Sequence, residues 1–319
     1  MLPLDEKKQI VKICKLYYME SWTQERIAAK YGVSRPVISK LLQRARDEGI
    51  VQITIHDDTL QIAELEREIE QKFELDQVFV VSIGDMAPDL AMSEVGKSAV
   101  GFIMKLVRNA RRIGVSWGMT LHQIIREIPY EEQKDVRIIP LIGGMGRDRI
   151  ELHSNQLAYE MSKKLGGKCE SLYAPAIVES KDLRDALVKS PNIASVIAEG
   201  AKADLALVGI GNPYESSTMV EIGYLGQKEL LELKKAGVVA DVNSRFIKSD
   251  GSISASDINN KVIGIELEQL TQIGKVVGIA VGMHKLESIL ATLKGHYLDV
   301  LITDDKTAAA LVQRMRSEA

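Results

Sequence analysis

The chain has 319 residues, 45% hydrophobic and 27% charged, with a net charge of −3. This is the make-up of a soluble globular protein with room for one small and one large domain. No apolar run reaches the roughly 18 to 20 residues of a membrane span, MLPLDEKKQIVKIC lacks the apolar core of a secretory signal, and two cysteines, Cys14 and Cys169, imply no disulfide framework; a cytoplasmic setting without a membrane partner is expected.

Charge is unevenly spread. Residues 1–56 hold ten Lys/Arg against six Asp/Glu, while the remainder carries 31 basic and 38 acidic side chains. A positive head on an acidic body suits a polyanionic partner for the head alone.

Residues 5–20 read as a helix, with Ile10, Ile13, Cys14 and Tyr17 at i, i+3, i+4, i+7 spacing. WTQERIAAKYGVSRPVISKLLQRARDEGI follows. Thr23 is the expected N-cap of a short helix that begins with Gln24 and ends at Tyr31, and Gly32 supplies the positive-φ turn that stops it. Ser34 is the expected cap of the next helix, with Pro36 in its first turn, where a missing N–H does no harm. Ile27 and Ala28 face inward on the first helix, and Ile38, Leu41, Leu42 and Ala45 form the apolar stripe of the second.

That stripe leaves Arg35, Pro36, Ser39, Lys40 and Gln43 outside, the helix-turn-helix pattern whose second helix offers its first residues to the DNA major groove. Arg35 can pair with guanine, Ser39 can meet a base or a phosphate, and Lys40 and Arg44 can hold the backbone. Thr23, Gln24, Ser34 and Gln43 complete the expected set of DNA-facing residues. A helical hairpin used only for protein contacts is the alternative, and the basic outer face speaks against it.

IVQITIH, from Ile50 to His56, alternates apolar and polar residues, a short strand that can form a wing. LQIAELEREIEQKFEL then places Leu60, Ala63, Ile69 and Phe73 among charges, an amphipathic connecting helix that can also serve as a dimer contact. The expected organisation is a DNA-binding domain at 1–56, a linker helix at 57–76 and a large domain at 77–319.

In the large domain, VFVVSI, RRIGVSW, VRIIPLI, KCESLYA, LALVGIG, GVVADV, VVGIAVG and LDVLIT read as strands separated mostly by amphipathic helices. Alternating βα units predict an α/β domain with a mostly parallel sheet, and ligands of such sheets bind beyond the carboxyl ends of the strands. The turns there are polar. GVSWGMT presents Ser116, Trp117, Gly118, Met119 and Thr120 at a helix start, a natural anion seat. LIGGMGRD carries Gly143, Gly144 and Gly146 ahead of Arg147; GIGNPYESS follows another strand; GVVADVNSRF brings Asp241, Asn243 and Arg245; AVGMHK brings Lys285. Together these turns predict a polar ligand with an anionic group.

Other chemistries fit less well. The glycine runs beginning at Gly144 and Gly209 both lack the final glycine of a dinucleotide fingerprint. The histidines at 56, 122, 153, 284 and 296 show no metal-ligand spacing, so no metal is expected. His153, at a helix start, is expected to pack or cap. Trp117 can stack on a ligand or pack in the core, and Lys285 can reach the ligand or stand in solvent.

With these residues assembled, the chain resembles the SorC family of sugar-responsive bacterial regulators, sometimes grouped with DeoR-type proteins. LYYMESWTQERIAAKYGVSRPVISKLL carries the resemblance at the front, and IGVSWGMT, PLIGGMG, APAIV, LALVGIG, VIGIELEQL and LDVLITDDKTAAALV carry it behind. The resemblance implies an effector domain of the phosphosugar isomerase and CoA-transferase kind (NagB/RpiA-like), a sugar phosphate as effector, no other cofactor, and a tetramer built from dimers. It implies a repressor of a carbohydrate operon with operator double-stranded DNA as partner.

Residue by residue, it implies that Ser116–Thr120 forms the phosphate loop and that Gly143, Gly144 and Gly146 form a second ligand turn. Asp241 then binds sugar hydroxyls and Lys285 lines the effector site. The chain departs from the family in reading Ala240-Asp241 for Gly-Asp and Val281-Gly282 for Gly-Gly. Where some relatives place a Schiff-base lysine, Ile142 stands, so covalent capture of an aldehyde by that route is not expected. A phosphosugar isomerase with a DNA-binding head is the rival reading; its general base would be a strand-end carboxylate. Glu215 lies displaced from the expected place, and Asp241 could serve, though a carboxylate facing a polyol more often accepts hydroxyl hydrogen bonds.

Overall fold

The structure is a computed structural model that describes residues 4–51, 58–133, 135–146 and 148–318. Most of the expected wing, Ile50 to His56, and Arg147 lie outside the described residues. The chain divides into two compact units, Met1–Leu60 and Gln61–Ala319.

In the first unit, α1 (Leu4–Cys14) continues into a wider turn over Lys15–Met19, where the Glu20 amide donates to the Lys15 carbonyl five residues back at 3.1 Å. Next come α2 (Gln24–Tyr31) and α3 (Arg35–Asp47). Thr23 Oγ1 accepts from the Arg26 amide at 3.2 Å, and Gly32 adopts φ 63°, so local capping sets both ends of α2. Ser34 occupies the cap position of α3, but its hydroxyl makes no capping bond; its carbonyl accepts from the Val37 amide at 3.0 Å instead. Ile10, Ile13, Ile27, Ile38, Leu42 and Ala45 form a shared core. Truncating one such isoleucine to Ala costs about 2–5 kcal/mol.

The second unit follows a βα rhythm. In chain order its elements are α4 (Asp58–Phe73, from Gln61 onward), β1 (Gln77–Val81), α5 (Pro88–Val107), β2 (Arg112–Val115), α6 (Met119–Glu127), β3 (Arg137–Pro140), α7 (Ser154–Leu165) and β4 (Lys168–Cys169). Next are α8 (Lys181–Val188), α9 (Pro191–Gly200), β5 (Leu205–Gly211), α10 (Thr218–Glu221), α11 (Gln227–Lys235), β6 (Val238–Val242) and β7 (Arg245–Lys248). Last come α12 (Leu267–Leu270), β8 (Val276–Ile279), α13 (Leu286–Lys294), β9 (Val300–Asp304) and α14 (Asp305–Glu318).

The main sheet has the order β1-β9-β8-β5-β2-β3-β4, with parallel pairing throughout. Its central strands are apolar on both sides because helices cover both faces. Leu205, Leu207, Val277 and Ile302 pack on the side of α5 and α6, whereas Ala206, Val208, Val276 and Leu301 pack on the side of α13 and α14. That alternation is the period of two that strand geometry imposes.

Three sequence expectations need correction. KCESLYA pairs over only two residues as β4; beyond it the Leu172 amide donates to Asn155 Oδ1, so a side chain replaces the strand ladder. GVVADVNSRF is no strand-to-helix turn but the antiparallel hairpin β6–β7, turning at Asn243 (φ 51°) and Ser244 (φ 60°). On α4 the packed stripe is Ile62, Leu65, Ile69 and Phe73, while Ala63 is exposed; Leu60's side chain lies outside the described residues. Stepping back from Ile69 by four and seven reaches Leu65 and Ile62, the spacing of one helix face. No helix among the described residues is long and apolar enough to cross a membrane.

Candidate functional site

The carboxyl ends of β2, β5 and β8 and the β6–β7 hairpin surround a cavity of about 290 Å³. Its floor is tied together by buried side chains. Ser116 Oγ donates to Asn243 Oδ1 at 2.8 Å, and Asn243 Nδ2 donates to the Leu141 carbonyl at 3.2 Å. Trp117 Nε1 donates to Ser244 Oγ at 2.9 Å while its ring packs with Ile142, Met145 and Phe246. The indole therefore packs in the core and also forms part of the cavity wall.

Gly118 makes the turn from β2 into α6 at φ 117°, a region that side chains disfavour. The first helical bond of α6 runs from the His122 amide to the Gly118 carbonyl at 3.0 Å. The amides of Met119, Thr120 and Leu121 thus precede any intrahelical acceptor, the geometry in which a helix start receives an anion.

Asp241 faces Gly211 across the antiparallel β5–β6 pair and is buried at 7% exposure. Burial pushes its carboxyl up to about 6, against the pull of Lys285 and of a hydrogen bond from the Ser244 backbone. Lys285 stands at the N-cap of α13 after the Gly282 turn; burial lowers its ammonium, and Asp241 opposes that shift. Asn212 ties two turns together. Its Nδ2 donates to the His284 carbonyl at 2.7 Å, while its Oδ1 accepts from the Tyr214 amide at 2.9 Å and the Glu215 amide at 3.2 Å. Burial, then Lys285, lowers the His284 imidazole, with Glu215 and Asp304 opposing.

The structure thus brings Ser116, Trp117, Gly118, Met119, Thr120, Asp241 and Lys285 to one cavity. Gly143, Gly144 and Gly146 do not line it. The Gly143 amide donates to the Ile263 carbonyl at 3.0 Å and the Gly144 amide to the Ala174 carbonyl at 2.8 Å. A Cβ on Gly143 would collide with the Ala174 and Pro175 backbone, and the Gly146 amide donates to the Tyr224 hydroxyl at 3.1 Å. Gly143 is spent on close backbone approach, and Gly146 lines a separate cavity with Pro175, Ile177 and Tyr224. Arg245 also leaves the site. It is 3% exposed, pairs with Glu266 at 2.9 Å and donates to the Asn259 carbonyl at 2.6 Å. His153 packs, with its ring Nε2 3.1 Å from the Asp148 carbonyl.

Sequence reasoning missed Asp89 and Met92 from α5 and Thr218 and Glu221 from α10; Asn212, Ser216, Ser217 and His284 fall within turns that it singled out, without being named as site residues, and all of these line the cavity. The Asn212-Pro213 step and the serine run after it were the signals available. The sequence places Asn243 at a strand end; in the structure it sits in a hairpin turn at φ 51°.

In the first unit Thr23, Ser34, Arg35, Pro36, Ser39, Lys40, Gln43 and Arg44 are exposed and Gln24 is half-buried. Arg35 pairs with Glu25 of α2 at 3.0 Å, Arg44 with Glu48 at 2.8 Å, and Gln43 Nε2 donates to Asp47 Oδ1 at 2.9 Å. The Arg26 guanidinium lies 3.7 Å from the Trp22 ring centroid, a cationic stack on α2 that the sequence pattern did not reveal.

Residues 57–313 match the family described as "Putative sugar-binding domain". The chain is 31% identical to the sorbitol operon regulator of Klebsiella pneumoniae, covering 97% of this chain and 99% of that one. It is also 31% identical to the deoxyribonucleoside regulator of Bacillus subtilis, over 96% and 98%. The full-length crystal structure of the Klebsiella regulator superposes with a TM-score of 0.77 over 97% of this chain and 99% of that one, at 31% identity. A DeoR family transcriptional regulator from Listeria monocytogenes, 38% identical, superposes at 0.74 over 78% and 98%. The chain belongs to the SorC family of sugar-binding transcriptional regulators.

Proposed function

We propose that this chain regulates transcription of a carbohydrate operon, binding operator double-stranded DNA through a helix-turn-helix formed by α2 and α3 and binding a phosphorylated sugar in the cavity of the second unit. The observation that carries the effector half is the convergence of the α6 start, Lys285 and Asp241 on one cavity. Its charged lining residues are Asp89, Glu221, Asp241 and Lys285. Carboxylates outnumber the lysine, so the phosphate belongs where the α6 amides and Lys285 lie. The carboxylates suit the hydroxyl donors of a polyol.

The names of the relatives support the same reading, two of them being a sorbitol operon regulator and a deoxyribonucleoside regulator. So does the exposed face of α3, with Arg35, Ser39 and Lys40. By the family resemblance we further assign the second unit to the NagB/RpiA-like group, the assembly to a dimer or tetramer, and the action to repression relieved by the effector. A regulatory role is favoured over catalysis because the relatives are named as regulators, Glu215 is not among the residues that line the cavity, and Asp241, which does line it, suits a polyol's hydroxyl donors.

A thermal-shift screen of hexose, hexitol and pentose phosphates tests the effector half, because a ligand bound only by the folded state raises the melting temperature by mass action. The effector should stabilise the native chain and leave Lys285→Ala unshifted. Stabilisation of both alike would place the ligand elsewhere.

A further inference from the structure

The motif TDDK at residues 303–306 has no part in the cavity lining, yet both of its aspartates are engaged. Asp304, at the end of β9, is fully buried. Its Oδ1 accepts from the Thr307 amide at 2.8 Å, and its Oδ2 accepts from Thr307 Oγ1 at 2.7 Å and from the Gly282 amide at 2.7 Å. Gly282 opens the turn that delivers Lys285 to the cavity. Asp304 therefore caps α14 with one oxygen and holds the lysine turn with the other.

Asp305, the next residue, reaches the opposite way. Its Oδ2 accepts from Ser82 Oγ at 3.0 Å and its Oδ1 from the Ile83 amide at 3.3 Å. Ser82 and Ile83 are the residues through which the chain leaves β1, the edge strand of the main sheet. An edge strand has outward amides to satisfy, and here α4 satisfies them. Glu70 Oε1 accepts from the Val78 amide at 2.7 Å, and Glu66 Oε1 accepts from the Val80 amide at 2.8 Å. The two glutamates are four residues apart on one helix face, and the two amides are two residues apart on one strand edge. The periods of helix and strand match at this spot.

We propose that Asp304 and Asp305 couple the cavity to α4. Asp304 sets the Gly282 turn that carries Lys285, Asp305 sets the segment leaving β1, and the contacts of Glu66 and Glu70 with β1 pass a shift of either turn to α4. This rests on the cavity being the effector site. The boundary between the two units falls within α4, so α4 is the segment through which a change of state in the second unit must reach the first along the chain. Asp304 and Asp305 are positioning residues; neither is placed against the ligand.

Because coupling between sites is reciprocal, the test runs in both directions on the full-length chain, read by amide hydrogen exchange. In the first arm, without ligand, the paired substitution Glu66→Ala and Glu70→Ala, which removes both acceptors, should speed exchange at residues 280–286 by about fivefold or more. The same pair in an Asp305→Ala background should add nothing there. Equal increments in both backgrounds, or none in the native one, would overturn the coupling.

In the second arm, glucose 6-phosphate, sorbitol 6-phosphate and 2-deoxyribose 5-phosphate are the probes. A probe that protects residues 116–121 should also change exchange at residues 66–81 in the native chain and lose only that distant effect in Asp305→Ala. Persistence of the distant effect in the variant would contradict the proposal. Failure of every probe to protect residues 116–121 counts against the effector reading, while the ligand-free arm still judges the coupling. Should Asp305→Ala fail to fold, Ser82→Ala combined with Asp305→Asn removes one contact and weakens the other.

Discussion

Gly211 and Asp241 face each other across the β5–β6 pair so closely that a Cβ on Gly211 would fall inside the Asp241 carboxylate. The glycine is there to admit an acid. Gly211→Ala should therefore push Asp241 out of place, costing about 1–3 kcal/mol in stability as other overpacked sites do. It should also abolish the effector-induced thermal shift. Denaturant midpoints and the sugar-phosphate screen check the two effects separately.

Asp241 also predicts a pH dependence. Its carboxyl rises from 3.8 to about 6 on folding, so the folded chain holds the proton more tightly than the unfolded chain does. The associated stability is fully present below the unfolded value and is lost as pH rises through about 6. Relative to Asp241→Asn, the native chain should lose about 3 kcal/mol between those limits, at about 1.4 kcal/mol per unit. Urea unfolding of both proteins across that window measures it. A constant difference would show that the carboxyl titrates normally.

How much of this could be read in the sequence depended on what each glycine and turn was for. The parallel strands were legible because their apolar runs are buried on both faces, as in Leu205–Val208. The hairpin was not, because Asn243 and Ser244 adopt positive φ without the Asn-Gly signature that announces such a turn. Gly118 and Gly143 look alike as letters. One opens a helix start toward the cavity, and the other admits the Ala174–Pro175 backbone. Only the fold distinguishes a glycine that makes room for a ligand from one that makes room for the chain itself. The contact between Asn212 and His284 was not legible because it joins turns 72 residues apart.

Arg245 should prove structural. Its guanidinium is buried against Glu266 and backbone carbonyls around the hairpin that carries Asp241. Arg245→Met strips those buried carbonyls of their donor, while half-exposed Glu266 keeps Arg184 at 3.8 Å, and should cost about 1–3 kcal/mol by urea unfolding. Arg245→Lys should recover little, since an ammonium lacks the planar fork.

Arg35 should behave in the opposite way. Its ion pair with Glu25 is exposed on both sides, at 66% and 64%, and such pairs contribute about 0–1 kcal/mol. Arg35→Ala should barely change the melting temperature while weakening specific operator binding by about 1–3 kcal/mol. Lys40→Ala should weaken binding evenly across sequences and lower the salt slope by about 1. Anisotropy titrations on an operator selected from random DNA, at several salt concentrations, separate the two.

A ligand in the cavity should govern the grip on DNA. Operator affinity of the full-length chain should be measured with and without the sugar phosphate found by the screen, in the native protein and in Lys285→Ala. The expected result is a change of about 5- to 150-fold in the native protein and none in the variant, with equal ligand-free affinity in both. An operator affinity indifferent to the sugar phosphate, or a variant that responds as fully as the native chain, would contradict it.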